Sequence, residues 1–270
     1  HIVILGLSIR SSWGNGHATT YRALTAALAK RGHQVLFLER DKPWYASHTD
    51  PSESLPCEFA LYSSLDELKD RYDQHVKHAD LVILGSYVPE GIAVGAWIQA
   101  CANGTIAFYD IDTPDTLASL SRNECDYLNP HLIPGFHLYL TFTGGTVLDR
   151  LEREFGAPMA RPLYCSVDPD HYFPLPDHEP KWDLGYLGTF SQDRQSALHR
   201  LLIDSAQQWL TGRFVVAGAR YPADIHWPSN VHRKEHVSPA NHRLFYNDLR
   251  FALNVTRNDM IQTGWSPSVR

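Results

Sequence analysis

The chain has 270 residues, of which 43% are hydrophobic, 20% charged and 11% aromatic; this excludes a disordered segment and leaves room for one large or two modest cores. Its net charge is −6 and its Lys and Arg gather into no stripe, so neither nucleic acid nor another polyanionic surface is expected as a partner. Cys57, Cys101, Cys125 and Cys165 are spread without a C-x-x-C pair, and no apolar run nears the roughly 20 residues of a membrane span. A reducing, cytoplasmic setting is the expectation.

Apolar IVILGL opens the chain and is followed by the loop SSWGNGHATTYR. A helical pattern through Ala23, Leu24, Ala27 and Leu28 then closes at Gly32 and gives way to QVLFLER, which together make one βαβ unit. The rhythm repeats with DLVILGS and a helix from Pro89, TIAFYDI, LYLTF with a helix from Gly145, and RPLYCS. Short, continuously apolar strands between helices mean that both sheet faces are covered.

VDPDHYFPLPDHEPK, with four prolines and no periodicity, reads as an interdomain connection. A second series follows: DLGYLGT, a helix around Ala197 to Leu210, RFVVAG, a short strand in NVHRKEHV, a helix from Ser238 to Asp248, and FALNVT. The expected organisation is a first α/β domain over 1–167, a linker over 168–181 and a second, partial α/β domain over 182–270. Ser266 and Pro267 have the character of an N-cap and a first helical residue, which predicts a helix starting there and a domain that continues past Arg270.

The loop after the first strand admits two readings. Gly14-x-Gly16-x-x-Thr19 with Glu39 at the end of the next strand approaches a dinucleotide fingerprint, which would make the chain an NAD-dependent dehydrogenase. Against that, SIRSSW intervenes between Leu7 and Gly14, and the third small residue is Thr. A long loop at the carboxyl edge of a parallel sheet instead suits a ligand cleft, with His17 beside a helix N-terminus.

In the second domain, Gly188, Thr189 and Ser191 form a small, polar strand-to-helix turn whose amides suit a diphosphate. Arg194 follows on the helix, and Arg257 lies just past FALNVT with polar Asn254 and Thr256 beside it; either cation would stabilise a departing nucleoside diphosphate. Two further patterns are set aside. Asp110-Ile-Asp112 is a D-x-D, but it sits in the first domain and reads as polar lining or a turn rather than a metal site. His232-x-x-Glu235-His236 matches the inverted zinc-protease pattern, which needs a helix, whereas its neighbours read as strand and cap. No metal is expected.

Taken in order, SSWGNGHATTYRALTAALAKRGHQVLFLERDKPWY, FYDIDTPDT, DLGYLGTFSQDR and HVSPANHRLFYNDLRFALNVTRNDMIQTGWSPSVR resemble the glycosyltransferases related to spore maturation protein CgeB. That family is similar to the two-domain GT-B glycosyltransferases, and the match runs through nearly all of the chain. The resemblance implies an α/β chain of two Rossmann-like domains facing a cleft and the transfer of a sugar from a nucleoside-diphosphate sugar, with UDP as the expected nucleotide. No further cofactor is implied, and the acceptor is unidentified.

On this reading the first domain meets the acceptor through Gly14, Asn15, Gly16, Asp110 and Asp112, with His17 as base or orienting group. The second holds the donor through Gly188, Thr189, Ser191, Arg194 and Arg257, with Gly218, His236 and Val237 toward base and ribose. Ser238 would cap the helix begun by Pro239. Ser266, Ser268 and Arg270 complete the donor side, where a helix start would present free amides to the diphosphate. A nucleotide-sugar-binding module without turnover is the remaining alternative.

Overall fold

The computed structural model describes residues 1–13, 15–50 and 55–262. Gly14, Ser266, Ser268 and Arg270, and the helix expected to begin at Ser266, lie outside these residues. The chain divides into two compact units, the first holding residues 1–12 and 16–168, the second holding Trp13, Asn15 and residues 169–261.

The first unit is a seven-stranded parallel sheet. Its strands are β1 (Ile2–Gly6), β2 (Val35–Arg40), β3 (Glu58–Tyr62), β4 (Leu81–Gly85), β5 (Thr105–Asp110), β6 (Leu138–Thr141) and β7 (Ala160–Pro162). They stand in the order β3-β2-β1-β4-β5-β6-β7. The crossovers carry α1 (His17–Lys30), the short α2 (Pro43–Ala46), α3 (Leu65–His78), α4 (Gly91–Cys101), α5 (Thr113–Ser121) and α6 (Thr146–Glu154). Every residue of β1 is buried, because helices cover both of its faces.

Two buried clusters follow from this, one on each face of the sheet. Leu5, Leu84, Phe108, Phe136 and Tyr139 belong to the first, and Ile4, Tyr21, Phe37, Ile83 and Tyr109 to the second. Tyr21 of α1 lies so close to β4 that a Cβ on Gly85 would sit 1.9 Å from its hydroxyl oxygen. The strand order reverses between β1 and β4, which makes their carboxyl ends the topological switch point of the sheet.

The second unit is a four-stranded parallel sheet in the order β10-β9-β8-β11. Its strands are β8 (Trp182–Leu187), β9 (Phe214–Ala217), β10 (Val231–Lys234) and β11 (Leu249–Ala252), and its helices α7 (Gln192–Leu198), α8 (Asp204–Gln208), α9 (Pro239–Asn247) and α10 (Asn258–Gln262). A π-helical turn over His199–Ile203 joins α7 to α8. Leu202, Ile203, Phe214 and Val216 form its larger core, and Val215, Phe245 and Leu249 its smaller one.

The structure differs from the sequence reading at several elements. β3 and α3 carry no segment in that reading. The first is an edge strand with only Tyr62 fully buried, and the second shows a narrow stripe of Leu68, Tyr72 and Val76, so neither has the continuous apolar signal of a central element. β7 ends at Pro162 rather than at Ser166, and β11 spans Leu249–Ala252, which leaves Asn254, Thr256 and Arg257 past the strand. The proline-rich segment is not a free linker but a strap bound to the second unit. The Leu175 amide donates to Asn247 Oδ1 at 2.7 Å, His178 Nε2 lies 2.7 Å from Asp248 Oδ1, and Lys181 Nζ donates to Asp248 Oδ2 at 3.2 Å.

Candidate functional site

In the first unit, the carboxyl ends of β1, β4 and β5 bring His17, Tyr87 and Asp112 together. His17 is the first residue of α1 and only 5% exposed. Its Nε2 lies 3.7 Å from Asp112 Oδ2, and its ring meets the edge of the Tyr87 ring at 5.6 Å. Tyr87 donates its hydroxyl to Asp115 Oδ2 at 2.5 Å and packs on Tyr127 with centroids 4.5 Å apart. Its phenol is pushed well above its ordinary value, first by burial and then by the charges of Asp112 and Asp115. Tyr87 and Glu90 both take left-handed backbone, at φ 62° and 57°, a conformation that costs a non-glycine residue on the order of 1 kcal/mol or more.

The approach to His17 is fixed by charge. Glu39 is fully buried and accepts the Ile9 amide at 2.7 Å and Arg10 Nε at 2.9 Å. Burial raises its carboxyl, opposed by the Ile9 amide and the Arg10 charge. Asp50 accepts from the Ser12 amide at 2.8 Å and from Arg22 Nη2 at 2.8 Å. Glu39 is therefore a strut of the loop, its carboxylate engaged by Arg10 and the Ile9 amide rather than offered to the ribose of a dinucleotide. Gly16 is the N-cap residue of α1, with no neighbour within 4 Å of an added Cβ, and Asn15 groups with the second unit.

Asp110 takes a role the D-x-D pattern did not suggest. Its side chain has no exposure, and it accepts Tyr139 Oη at 2.7 Å, Thr116 Oγ1 at 2.8 Å and the Asp112 amide at 3.1 Å. Burial pushes its carboxyl up to about 7, against those three hydrogen bonds. Asp110 thus anchors a buried polar network under the site instead of lining it, while Asp112 alone of the pair reaches His17.

In the second unit, the turn after β8 meets the turn after β9. Gly188 donates its amide to Ala217 O at 2.8 Å, and Phe190 to Ala219 O at 3.0 Å. Gly218 has φ +147°, and a Cβ there would lie 1.9 Å from the Gly188 oxygen, so only glycine permits this crossing. Arg194 bends back from α7 to donate Nη2 to Thr189 O at 3.1 Å, with its Nε buried and unpaired among the described residues. Arg194 and Arg257 both act on Asp193. Burial raises that carboxyl, but the Ser191 hydroxyl, the Asn258 amide and the two arginines outweigh burial and hold it below its ordinary value.

Gly188, Thr189, Ser191, Arg194, Gly218 and Arg257 thus gather around two crossing turns. His236 and Val237 lie on the loop after β10. The His236 ring packs on Trp13 at 4.4 Å, and Val237 is buried with its carbonyl 2.9 Å from His242 Nε2. Ser238 is the N-cap residue of α9, with no side-chain cap bond. His232 is on β10, stacked on Trp182 at 5.3 Å, so the spacing of the zinc-protease pattern falls on strand and loop rather than helix. Sequence reasoning missed Asp193, Tyr87 and Asp115, for which a position next to a strand end was the only signal. It also missed Tyr221, Trp227 and Arg233, whose aperiodic spacing gave none.

Comparison with known proteins adds the following. Residues 194–270 match the family described as Glycosyl transferase-like. No curated protein matches the chain. Among solved structures, it is similar to an alpha-glucosyltransferase in complex with UDP and a 13-mer DNA containing a HMU base, with TM-score 0.63, 14% identity, and coverage of 94% of this chain and 73% of that one. It is also similar to the catalytic domain of Starch Synthase IV from Arabidopsis thaliana bound to ADP and acarbose, with TM-score 0.62, 11% identity, 93% of this chain and 77% of that one. A third is Arabidopsis thaliana UGT89C1 complexed with UDP-L-rhamnose, with TM-score 0.54, 12% identity, and coverage of 93% and 73%. The fold is that of the GT-B glycosyltransferases, α/β with Rossmann-like units.

Proposed function

We propose that this chain is a glycosyltransferase that moves a sugar from a nucleoside-diphosphate sugar to an acceptor hydroxyl, with the donor on the second unit and the acceptor served by the first. One observation carries the reading: Arg194 and Arg257, both within the segment that matches a glycosyl transferase-like family, act on the carboxylate of Asp193 beside a glycine turn that follows the carboxyl end of a parallel strand. The Thr189 amide and the two arginines stabilise the charge that grows on the leaving diphosphate. His17 accepts the acceptor's proton as its oxygen bonds to the anomeric carbon, and Asp112 stabilises the resulting imidazolium. The bond to the diphosphate oxygen breaks with its electron pair, so the nucleoside diphosphate departs.

UDP is the first nucleotide to try, since two of the three similar structures above hold UDP or a UDP sugar. The donor subsite needs no other cofactor. Within the class, the four ordered sequence motifs favour a CgeB-related enzyme. A net charge of −6 sets the acceptor apart from DNA, and a cytoplasmic setting, where nucleotide sugars and reduced cysteines prevail, goes with this reading. Among the described residues no helix is long and apolar enough to cross a membrane.

Glu39 bears on the alternatives: its carboxylate is taken up by Arg10 and the Ile9 amide, which removes the ribose ligand of a dehydrogenase. Thermal-shift titration with UDP, ADP and NADH, followed by assay of UDP release from UDP-glucose, tests the proposal. Stabilisation by a nucleoside diphosphate together with turnover is expected. Stabilisation by NADH alone would restore the dehydrogenase, and nucleotide binding with no release under any acceptor would leave a binding module.

A further inference from the structure

We infer that Tyr221 is a positioning residue of the donor site, acting through the backbone of the Gly188 turn, and that Arg233 holds the same crossing from the other side. The inference rests on the reading of that turn as the seat of the donor diphosphate. Tyr221 donates its hydroxyl to Gly188 O at 3.1 Å. Arg233 reaches from β10 to donate Nη1 to Val216 O at 2.5 Å and Nη2 to Gly218 O at 3.1 Å. Its guanidinium lies over the faces of two rings, 4.2 Å from the centroid of Tyr221 and 4.8 Å from that of Trp227, which meet each other edge-on at 5.5 Å. Phe190, from the far end of the turn, sets its ring edge-on to Tyr221 at 5.7 Å.

Physical chemistry gives this assembly its purpose. A turn that receives an anion must present amides, and any carbonyl oxygen aimed at the anion repels it. At Gly188 and Thr189 both carbonyls are engaged by side chains, the first by Tyr221 and the second by Arg194. Val216 O in β9 and Gly218 O on the turn after it are engaged by Arg233. An arginine fork is suited to this task, since its planar donors reach two carbonyls at once while its faces stack on aromatic rings. The seat is therefore fixed before the ligand arrives, and less binding free energy is spent on ordering it.

Tyr221→Phe isolates the effect, because it keeps the ring on which Arg233 stacks and removes only the hydroxyl. Calorimetric titration of the 270-residue chain with UDP and ADP, and with uridine and adenosine as phosphate-free twins, reads it out. Loss of one net hydrogen bond that orders the turn predicts a rise of about threefold to tenfold in the diphosphate Kd, with the nucleoside Kd unchanged and the Tm lowered by only a few degrees. Arg233→Lys, which keeps the charge and loses the fork, shifts the diphosphate Kd in the same direction. Equal UDP affinity in wild type and Tyr221→Phe overturns the inference, and so does a parallel loss for diphosphate and nucleoside, which marks a general loosening of the pocket. Failure of both UDP and ADP to bind the wild type is read before any variant is made; it overturns the diphosphate seat itself and the inference with it.

Discussion

His17 is held from two directions, by the Asp112 carboxylate 3.7 Å from Nε2 and by the Tyr87 ring edge, so its imidazole is oriented before any acceptor is present. His17→Ala is accordingly expected to lower the rate of sugar transfer by roughly 100-fold or more, the usual scale for a general base, while UDP affinity in the same preparation stays within twofold (about 0.4 kcal/mol). A matching fall in UDP affinity would move His17 out of the acceptor side. Asp110 supplies a prediction of a different kind. Its folded carboxyl titrates at about 7, against about 3.9 in an unfolded chain, so between those values the folded state holds the proton that the unfolded state has released. Stability contributed by this group is therefore present below about pH 4 and is lost as pH rises through about 7. Asp110→Asn should flatten that part of the Tm-against-pH curve; an unchanged slope between pH 4.5 and 7.5 would remove Asp110 as its source. The position of His17 at the start of α1 was legible in the sequence, because a polar loop after a strand lies at the sheet's carboxyl edge. At Asp110 the turn was legible, since its carboxylate accepts the Asp112 amide, but a D-x-D at a strand end gives no sign that the same carboxylate also takes bonds from buried Tyr139 and Thr116.

At the scale of elements, the central strands were legible because their apolar runs are continuous, as in IVILG and LVILG, and the edge strand β3, with only Tyr62 fully buried, was not. α3 could have been found from its ends: Ser64 accepts the Glu67 amide at 3.0 Å, and Glu67 Oε2 accepts the Ser63 amide at 2.7 Å, the reciprocal arrangement of a capping box shifted by one residue. The crossing of two turns in the second unit was beyond sequence reasoning. Gly188 and Gly218 are 30 positions apart, and nothing local says that one exists to let the other pass. Gly218→Ala tests that contact. A Cβ would meet the Gly188 oxygen at 1.9 Å from a backbone with φ +147°, so both steric overlap and conformational strain act, and destabilisation on the order of 2 kcal/mol or more is expected. Chemical denaturation followed by tryptophan fluorescence measures it. A variant within about 0.5 kcal/mol of wild type would mean that the turns separate freely and that the seat is less ordered than its hydrogen bonds imply.

For the molecule as a whole, the βα alternation and the proline-rich break were enough to foresee two α/β units, although the prolines proved to belong to the second unit rather than to a tether between the two. Each unit has its own buried clusters: Leu5, Phe108 and Tyr139 on one face of the first sheet, Ile4, Phe37 and Tyr109 on the other, and Leu202, Phe214 and Val216 in the second unit. Separate cores predict separate cooperative transitions. The residues proposed to hold the donor, among those described Gly188, Thr189, Ser191, Arg194, Gly218 and Arg257, all belong to the second unit. A ligand that binds there and nowhere on the unfolded chain stabilises that unit by RT ln(1 + [L]/Kd), about 2.7 kcal/mol at a hundredfold excess over Kd. In scanning calorimetry, UDP should therefore raise one transition by several degrees and leave the other in place, and Gly218→Ala should lower that same transition. The two perturbations thus identify the donor unit independently, one by a ligand and one by a strained backbone. If UDP moves the transition that Gly218→Ala leaves untouched, the diphosphate is held by the first unit, and the division of labour proposed for the two sheets is reversed.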